Sequence, residues 1–152
     1  MPQLEVATIV MKDAINVLIA KAATGPDAGK WVIPSAIIQE GEHVIDASAR
    51  HIREQTGLTI IPKQVLFLSE VVEAAVGDIP AVHRVAVFCF GECASSGSPK
   101  AWETYSEVLF VDPRKLGEYQ KEGMSDLSAD AFFKFSKILQ AQANIPPRAG
   151  TV

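Results

Sequence analysis

Two apolar runs open the chain, "LEVATIVM" and "INVLIAKA", both rich in β-branched residues and separated by "KDA". Runs of that kind joined by a short polar connector predict a β-hairpin. "TGPDAG" has the composition of a turn, because Gly, Pro and Asp each favour backbone reversal. "KWVIPSAII" resumes extended character around Pro34, and "QEGEH" breaks it again. From Val44 to Gln55 the period changes: Val44, Ile45, Ser48, Ala49 and Ile52 recur on one helical face. Thr56-Gly57 supplies the stop, since Gly accepts the left-handed backbone at a helix end.

Beyond that helix, "LTIIPKQVLFLSEVVEAAV" and "HRVAVFCFGE" read as strands around a "GDIPA" turn. "ASSGSPKAW" is a loop by composition, "EVLFVDP" is a further strand and "KLGEYQKEG" a short helix. "SDLSADAFFKFSKILQAQA" is the closing helix, with a Ser or Asp cap and apolar Phe132, Phe133, Phe135, Ile138 and Leu139. Residues 1–143 form one expected domain, and "NIPPRAGTV" (144–152) reads as a frayed tail. Neither a repeat nor a linker interrupts it. Strands on both sides of one central helix, with a second helix closing the chain, imply an α/β sandwich.

The bulk numbers narrow the function class. At 152 residues, 48% apolar and 21% charged, the chain can bury a real core. A net charge of −4 offers no broad basic surface, so nonspecific binding to nucleic acid or anionic membrane is not expected. "MPQLEV" lacks the basic start and long apolar run of a signal peptide, and no stretch approaches the roughly 20 apolar residues of a membrane helix. Cys89 and Cys93 lack partnering His spacing, so free thiols in a cytoplasmic, reducing setting are expected rather than a zinc site.

The central helix carries the candidate chemistry. At about 100° per residue, Glu54 projects about 40° from Arg50 and about 60° from His51, while Gln55 lies about 40° to the other side of His51. His51 and Gln55 are nearest the apolar stripe, and Glu42 adds a carboxylate from the preceding loop. Hard cations such as Mg²⁺ bind through one or two carboxylates together with phosphate oxygens, and could there acidify a water for attack on phosphorus. The plainer reading of the same residues is structural. Asp46, Arg50 and Glu54 form an i, i+4, i+8 ladder of solvated ion pairs, Glu42 suits the positive end of the helix, and His51 and Gln55 are polar fillers.

"GKWVIPSAIIQEGEHVIDASARHIREQTGL" resembles the box of the Nudix hydrolases, G-x5-E-x7-R-E-U-x-E-E-x-G-U with U apolar. Counted from Ala36, the matches are Glu42, Arg50, Ile52, Glu54 and Gly57-Leu58. "GKWVIP" resembles the family's lead-in, and "SEVLFVDPRKL" a strand and turn that many members place near substrate. The resemblance implies an α/β/α sandwich around a mixed sheet, and metal-assisted hydrolysis of a nucleoside diphosphate linked to another group. It also implies Mg²⁺ or Mn²⁺ held by Glu42 and Glu54 with a main-chain carbonyl at Ala36, Arg50 orienting Glu54, and the possibility of a homodimer. Three box positions depart: Ala36 stands for Gly, His51 for Glu and Gln55 for Glu. His51 offers a ring nitrogen better suited to a transition metal than to Mg²⁺, and Gln55 a neutral oxygen. The alternative function is a catalytically inactive nucleotide-sensing or protein-interaction module. His83, Arg84, Glu103 and Glu107 are candidates for substrate contact or a base outside the box, and Trp102 and Tyr105 for stacking on a nucleobase.

Overall fold

β1 (Gln3–Lys12) and β2 (Asn16–Ala22) pair as the expected hairpin, with Met11 opposite Val17 and Lys12 opposite Asn16. The computed structural model describes residues 2–143, so the tail expected at 144–152 lies outside the described residues. Asp13 and Ala14 turn the hairpin with φ of 56° and 58°, and the Ile15 N–H closes on the Lys12 carbonyl. Both central residues at positive φ are what a right-twisted hairpin requires.

"KWVIPSAII" is two short strands rather than one. β3 (Trp31–Val32) pairs with β2, and β4 (Ser35–Ile37) pairs with the first half of β1. Ile33 and Pro34 make the crossing between them, where proline's missing N–H costs no ladder bond. β5 (Ile60–Glu73) and β6 (Val82–Cys93) form a long antiparallel hairpin, and β7 (Tyr105–Val111) pairs with β2. β1 and β6 run parallel, which makes the seven-stranded sheet mixed.

From Val6 to Met11 every residue of β1 but Thr8 is apolar, because this stretch is covered on both faces. Val6, Thr8 and Val10 face α1 (Val44–Thr56), while Ala7, Ile9 and Met11 face α3 (Asp126–Ala143). The α3 side holds the larger core, with Phe88, Ile19 and Trp31 against Ala131, Phe132 and Phe135. The α1 side packs Ala47 on Val6, Val87 and Cys89, and Ile52 on Val10 and Leu18. The result is a sheet between helices on both sides.

Local chemistry sets the ends of these elements. Gly57 takes φ 76° and donates to the Arg53 carbonyl, closing α1 as its composition predicts. Ser125 is the cap of α3, its Oγ accepting from the Ser128 N–H at 3.2 Å. Asp112 accepts from the Arg114 N–H at 2.9 Å and starts a 3₁₀ turn, Pro113–Lys115, that leads into α2 (Leu116–Gly123). Of the apolar residues expected on α3, Phe132 and Phe135 are buried, whereas Phe133 and Leu139 face solvent.

Candidate functional site

Glu42 sits in the turn before α1, one residue after Gly41 bends the chain with φ 76°. Its carboxylate meets the fork of Arg50: Nε donates to Oε2 at 2.7 Å and Nη2 to Oε1 at 3.0 Å. The same guanidinium donates through Nη1 to Glu54 at 3.0 Å and through Nη2 to the Ile37 carbonyl at 3.2 Å. Glu42 and Glu54 therefore do converge on one cation, and that cation is Arg50. The expected ladder differs by one member, since the partners of Arg50 are Glu42 and Glu54 rather than Asp46. Hydrogen bonds from Arg50 hold the Glu42 carboxyl below the usual carboxylate range.

His51 lies one residue further round the helix and is 0% exposed. Its Nε2 is 2.7 Å from the Thr8 hydroxyl, which is 2.8 Å from the Ser48 hydroxyl. Its Nδ1 is 2.9 Å from Gln55 Oε1, and Gln55 Nε2 donates to the Ser35 carbonyl at 2.8 Å. The directions of these bonds follow from one end. A carbonyl only accepts, so the amide nitrogen of Gln55 must face Ser35 and its oxygen must face His51. Nδ1 then carries the proton, Nε2 accepts from Thr8, and Thr8 accepts from Ser48. Burial pushes the His51 pKa down to about 4, against the opposing bond to Gln55, so the neutral ring suits the chain of bonds.

Tyr105 completes the arrangement from β7. The Ser35 N–H donates to its oxygen at 3.0 Å, and its O–H lies 3.3 Å from Gln55 Oε1 and 3.4 Å from the Ser35 carbonyl. Sheet alternation explains why Ser35 is free to do this. Bonds from the Ile38 N–H to Leu4 and from the Thr8 N–H to Pro34 flank the Val6–Ala36 pair, so the Ala36 carbonyl belongs to the β1–β4 ladder. The polar groups of Ser35 point the other way, toward Gln55 and Tyr105. The carbonyl facing the helix is thus that of Ser35, one residue before the box begins.

A cation site needs oxygen lone pairs that are open and convergent, about six of them for a hard dication, waters included. Here Glu42 gives both oxygens to Arg50, with Gln39 N–H also on Oε1 at 3.2 Å. Gln55 Oε1, the Ser35 carbonyl and both nitrogens of His51 are engaged as described. Among the described residues no three His, Cys, Asp or Glu side chains are grouped to hold a metal. Glu54 is the exception, with its side chain 61% exposed and only Oε2 bonded. The donor set in this arrangement does not fit Mg²⁺ or Mn²⁺.

Ser35 also borders open space. A cleft of about 280 Å³ on the α3 side of the sheet is lined by Ser35 with Glu5, Lys30, Arg84 and Asp126. A smaller hollow, about 180 Å³, joins Ser35 to Tyr105, Asp27 and Thr104. Of the residues named outside the box, Arg84 lines the cleft and lies 3.7 Å from Glu5. His83 bonds Glu70 at 2.7 Å on the exposed hairpin, and Glu107 pairs with Lys21. Trp102 packs near Gly57 at the end of α1, and Tyr105 hydrogen-bonds in the box network. Thr8, Ser48 and Ser35 are the members of this site that sequence reasoning did not pick out.

The NUDIX domain model matches residues 1–133. No curated protein sequence matches the chain. Among solved structures, the MutT NUDIX hydrolase from Burkholderia pseudomallei superposes with a TM-score of 0.72 at 22% identity, over 88% of this chain and 98% of that one. The C. elegans Ap4A hydrolase gives 0.67 at 13% identity, over 91% and 98%. A bifunctional NMN adenylyltransferase/ADP ribose pyrophosphatase from Francisella tularensis, complexed with AMP and a manganese ion, gives 0.64 at 11% identity, over 95% of this chain and 42% of that one. At these identities the structures establish a shared fold.

Proposed function

Because the chain belongs to the Nudix family, we propose that its ligand is a nucleoside diphosphate linked to another group, held in the cleft that opens at Ser35. Proteins of the same fold are named for ligands of this kind, Ap4A and ADP-ribose. The observation that carries the reading is the placement of Ser35, which lines the cleft with its side and ties the box helix through its backbone. Polar and charged groups from β1, β4, β6 and α3 line one concavity there, the usual form of a small-molecule site.

With His51 and Gln55 at two carboxylate positions, this protein binds its ligand without appreciable turnover, as a nucleotide-sensing or protein-interaction module. A second reading, a weakened pyrophosphohydrolase assisted by Mg²⁺ or Mn²⁺, has Glu54 in its favour, since that carboxylate is exposed with one oxygen unengaged. Calorimetry against a panel of nucleoside diphosphate derivatives, run beside a product assay on wild type and Glu54→Gln, decides between them. Binding of at least one ligand with no turnover above that of Glu54→Gln is expected. Turnover that disappears in Glu54→Gln establishes the second reading, and failure to bind any member of the panel removes both.

Two further parts of the reading concern setting and assembly. Both cysteines are free and no described helix is long and apolar enough to cross a membrane, which suits a cytoplasmic location. A homodimer would have the outer edge of β5 available, where Leu68 and Val72 are exposed. Sedimentation of wild type and Leu68→Lys tests it, with a monomeric wild type removing this part.

A further inference from the structure

We infer that the box helix of this chain is a closed hydrogen-bonded brace rather than a cation site, and that ligand binding at the neighbouring cleft is therefore independent of divalent metal. The ligand half of the statement rests on the reading above; the metal half does not.

The brace runs Ser48–Thr8–His51–Gln55–Ser35 with Tyr105 at its end, and it ties β1, α1, β4 and β7 together. The atoms a cation would need, Gln55 Oε1 and the two ring nitrogens of His51, are engaged. Gln55 Oε1 faces both the His51 N–H and the Tyr105 O–H, which fill its two lone pairs. A dication taking that oxygen would displace those donors and strand the Nδ1 proton of a ring with no exposure to water. Leaving a buried donor unpaired is unfavourable. A transition metal fares no better, because Nδ1 is protonated and Nε2 points into the interior toward Thr8. Glu42 is held by two charge-assisted bonds in the fork geometry that is strongest for Arg and carboxylate. What remains is one oxygen of Glu54, and a single exposed carboxylate binds divalent ions no better than any other surface acid.

Manganese titrated into the full chain, without nucleotide and followed by electron paramagnetic resonance, tests the metal half directly. The expected result is that wild type and Glu54→Gln remove the same small fraction of the free-ion signal. Wild-type affinity exceeding that of Glu54→Gln by about tenfold or more overturns the inference, since ligand-shell changes at real metal sites have effects of that size. A second measurement reads the brace itself. The ¹⁵N signals of the His51 ring are expected to show a protonated Nδ1 and to be unmoved by Mg²⁺; a Mg²⁺-dependent shift absent in Glu54→Gln overturns it. For the ligand half, ADP-ribose and Ap4A affinities are expected to be equal in EDTA and in Mg²⁺. A gain of about tenfold with Mg²⁺ sinks the claim of metal independence. If neither compound binds, the ligand reading fails, while the manganese and His51 results still decide what the box helix is.

Discussion

A fully buried imidazole has a protonation cost that the unfolded chain does not share. Burial lowers the His51 pKa from 6.5 to about 4, so between those values the unfolded state takes up a proton that the native state refuses. Stability is then complete above the unfolded value and declines as pH falls through the window, flattening below about 4. Going from about pH 7 to about pH 5, the loss from this one group is on the order of 2 kcal/mol. Urea denaturation at the two pH values checks this, with His51→Gln expected to remove most of the difference that wild type shows in that interval. Arg50 makes a second residue-level case. Arg50→Lys keeps the charge but loses the fork that grips Glu42, Glu54 and the Ile37 carbonyl at once. With Glu54 largely exposed, a small loss of stability is expected in the same measurement. What the sequence could not reveal about these residues is their partners. Arg50 and Glu54 meet through i,i+4 helix geometry, and Glu42 reaches the same guanidinium from the turn just before the helix, so all three lie close in sequence. Thr8 reaches His51 from 43 positions away, and Tyr105 reaches Gln55 from 50, so only the packing of α1 on the assembled sheet brings them together.

Elements inherit their limits from a few backbone positions. The β1–β2 turn holds Ala14 at φ 58°, a conformation that Cβ disfavours and glycine does not. Ala14→Gly turns "DA" into the Asp-Gly pair preferred in such hairpins, and is expected to raise stability by about 0.5–1 kcal/mol in thermal or urea unfolding. Most element boundaries were legible for the same local reasons: the hairpin at 4–22, the helix from Val44 with its Gly57 stop, and the capped closing helix. The division of "KWVIPSAII" was not. Its pattern is uniformly extended, and which neighbour each half joins depends on β1 and β2, both distant in sequence. That division turns the Ser35 carbonyl toward Gln55, so the missed split and the unforeseen network have one cause.

On the scale of the whole molecule, the sheet is stable because each face is covered, and the cover on the α3 side is aromatic. Phe135 packs at a tilt against Phe90, 5.5 Å between ring centres, and belongs, with Phe132 and Ala131, to the core that includes Ile9, Ile19 and Phe88. Truncation here removes apolar contact from the centre of the larger layer and leaves a cavity, because β1 and β6 beneath it are fixed by their ladder. Phe135→Ala is therefore expected to cost about 3–5 kcal/mol, a large share of the total stability of a single domain. Phe133, two positions earlier on the same helix, is 60% exposed, and Phe133→Ala is expected to change stability by about 0.5 kcal/mol or less. We propose that residues 1–143 carry the complete domain. The α3 residues that are buried in this layer run no further than Phe135 among the described residues, so a chain ended after Ala143 is expected to unfold at the wild-type temperature. Calorimetry of the three variants side by side tests the domain limit and the core together. A truncated chain that melts as early as Phe135→Ala would place residues beyond 143 in the cooperative unit, and a mild Phe135→Ala would mean that α3 is not the essential cover of that face.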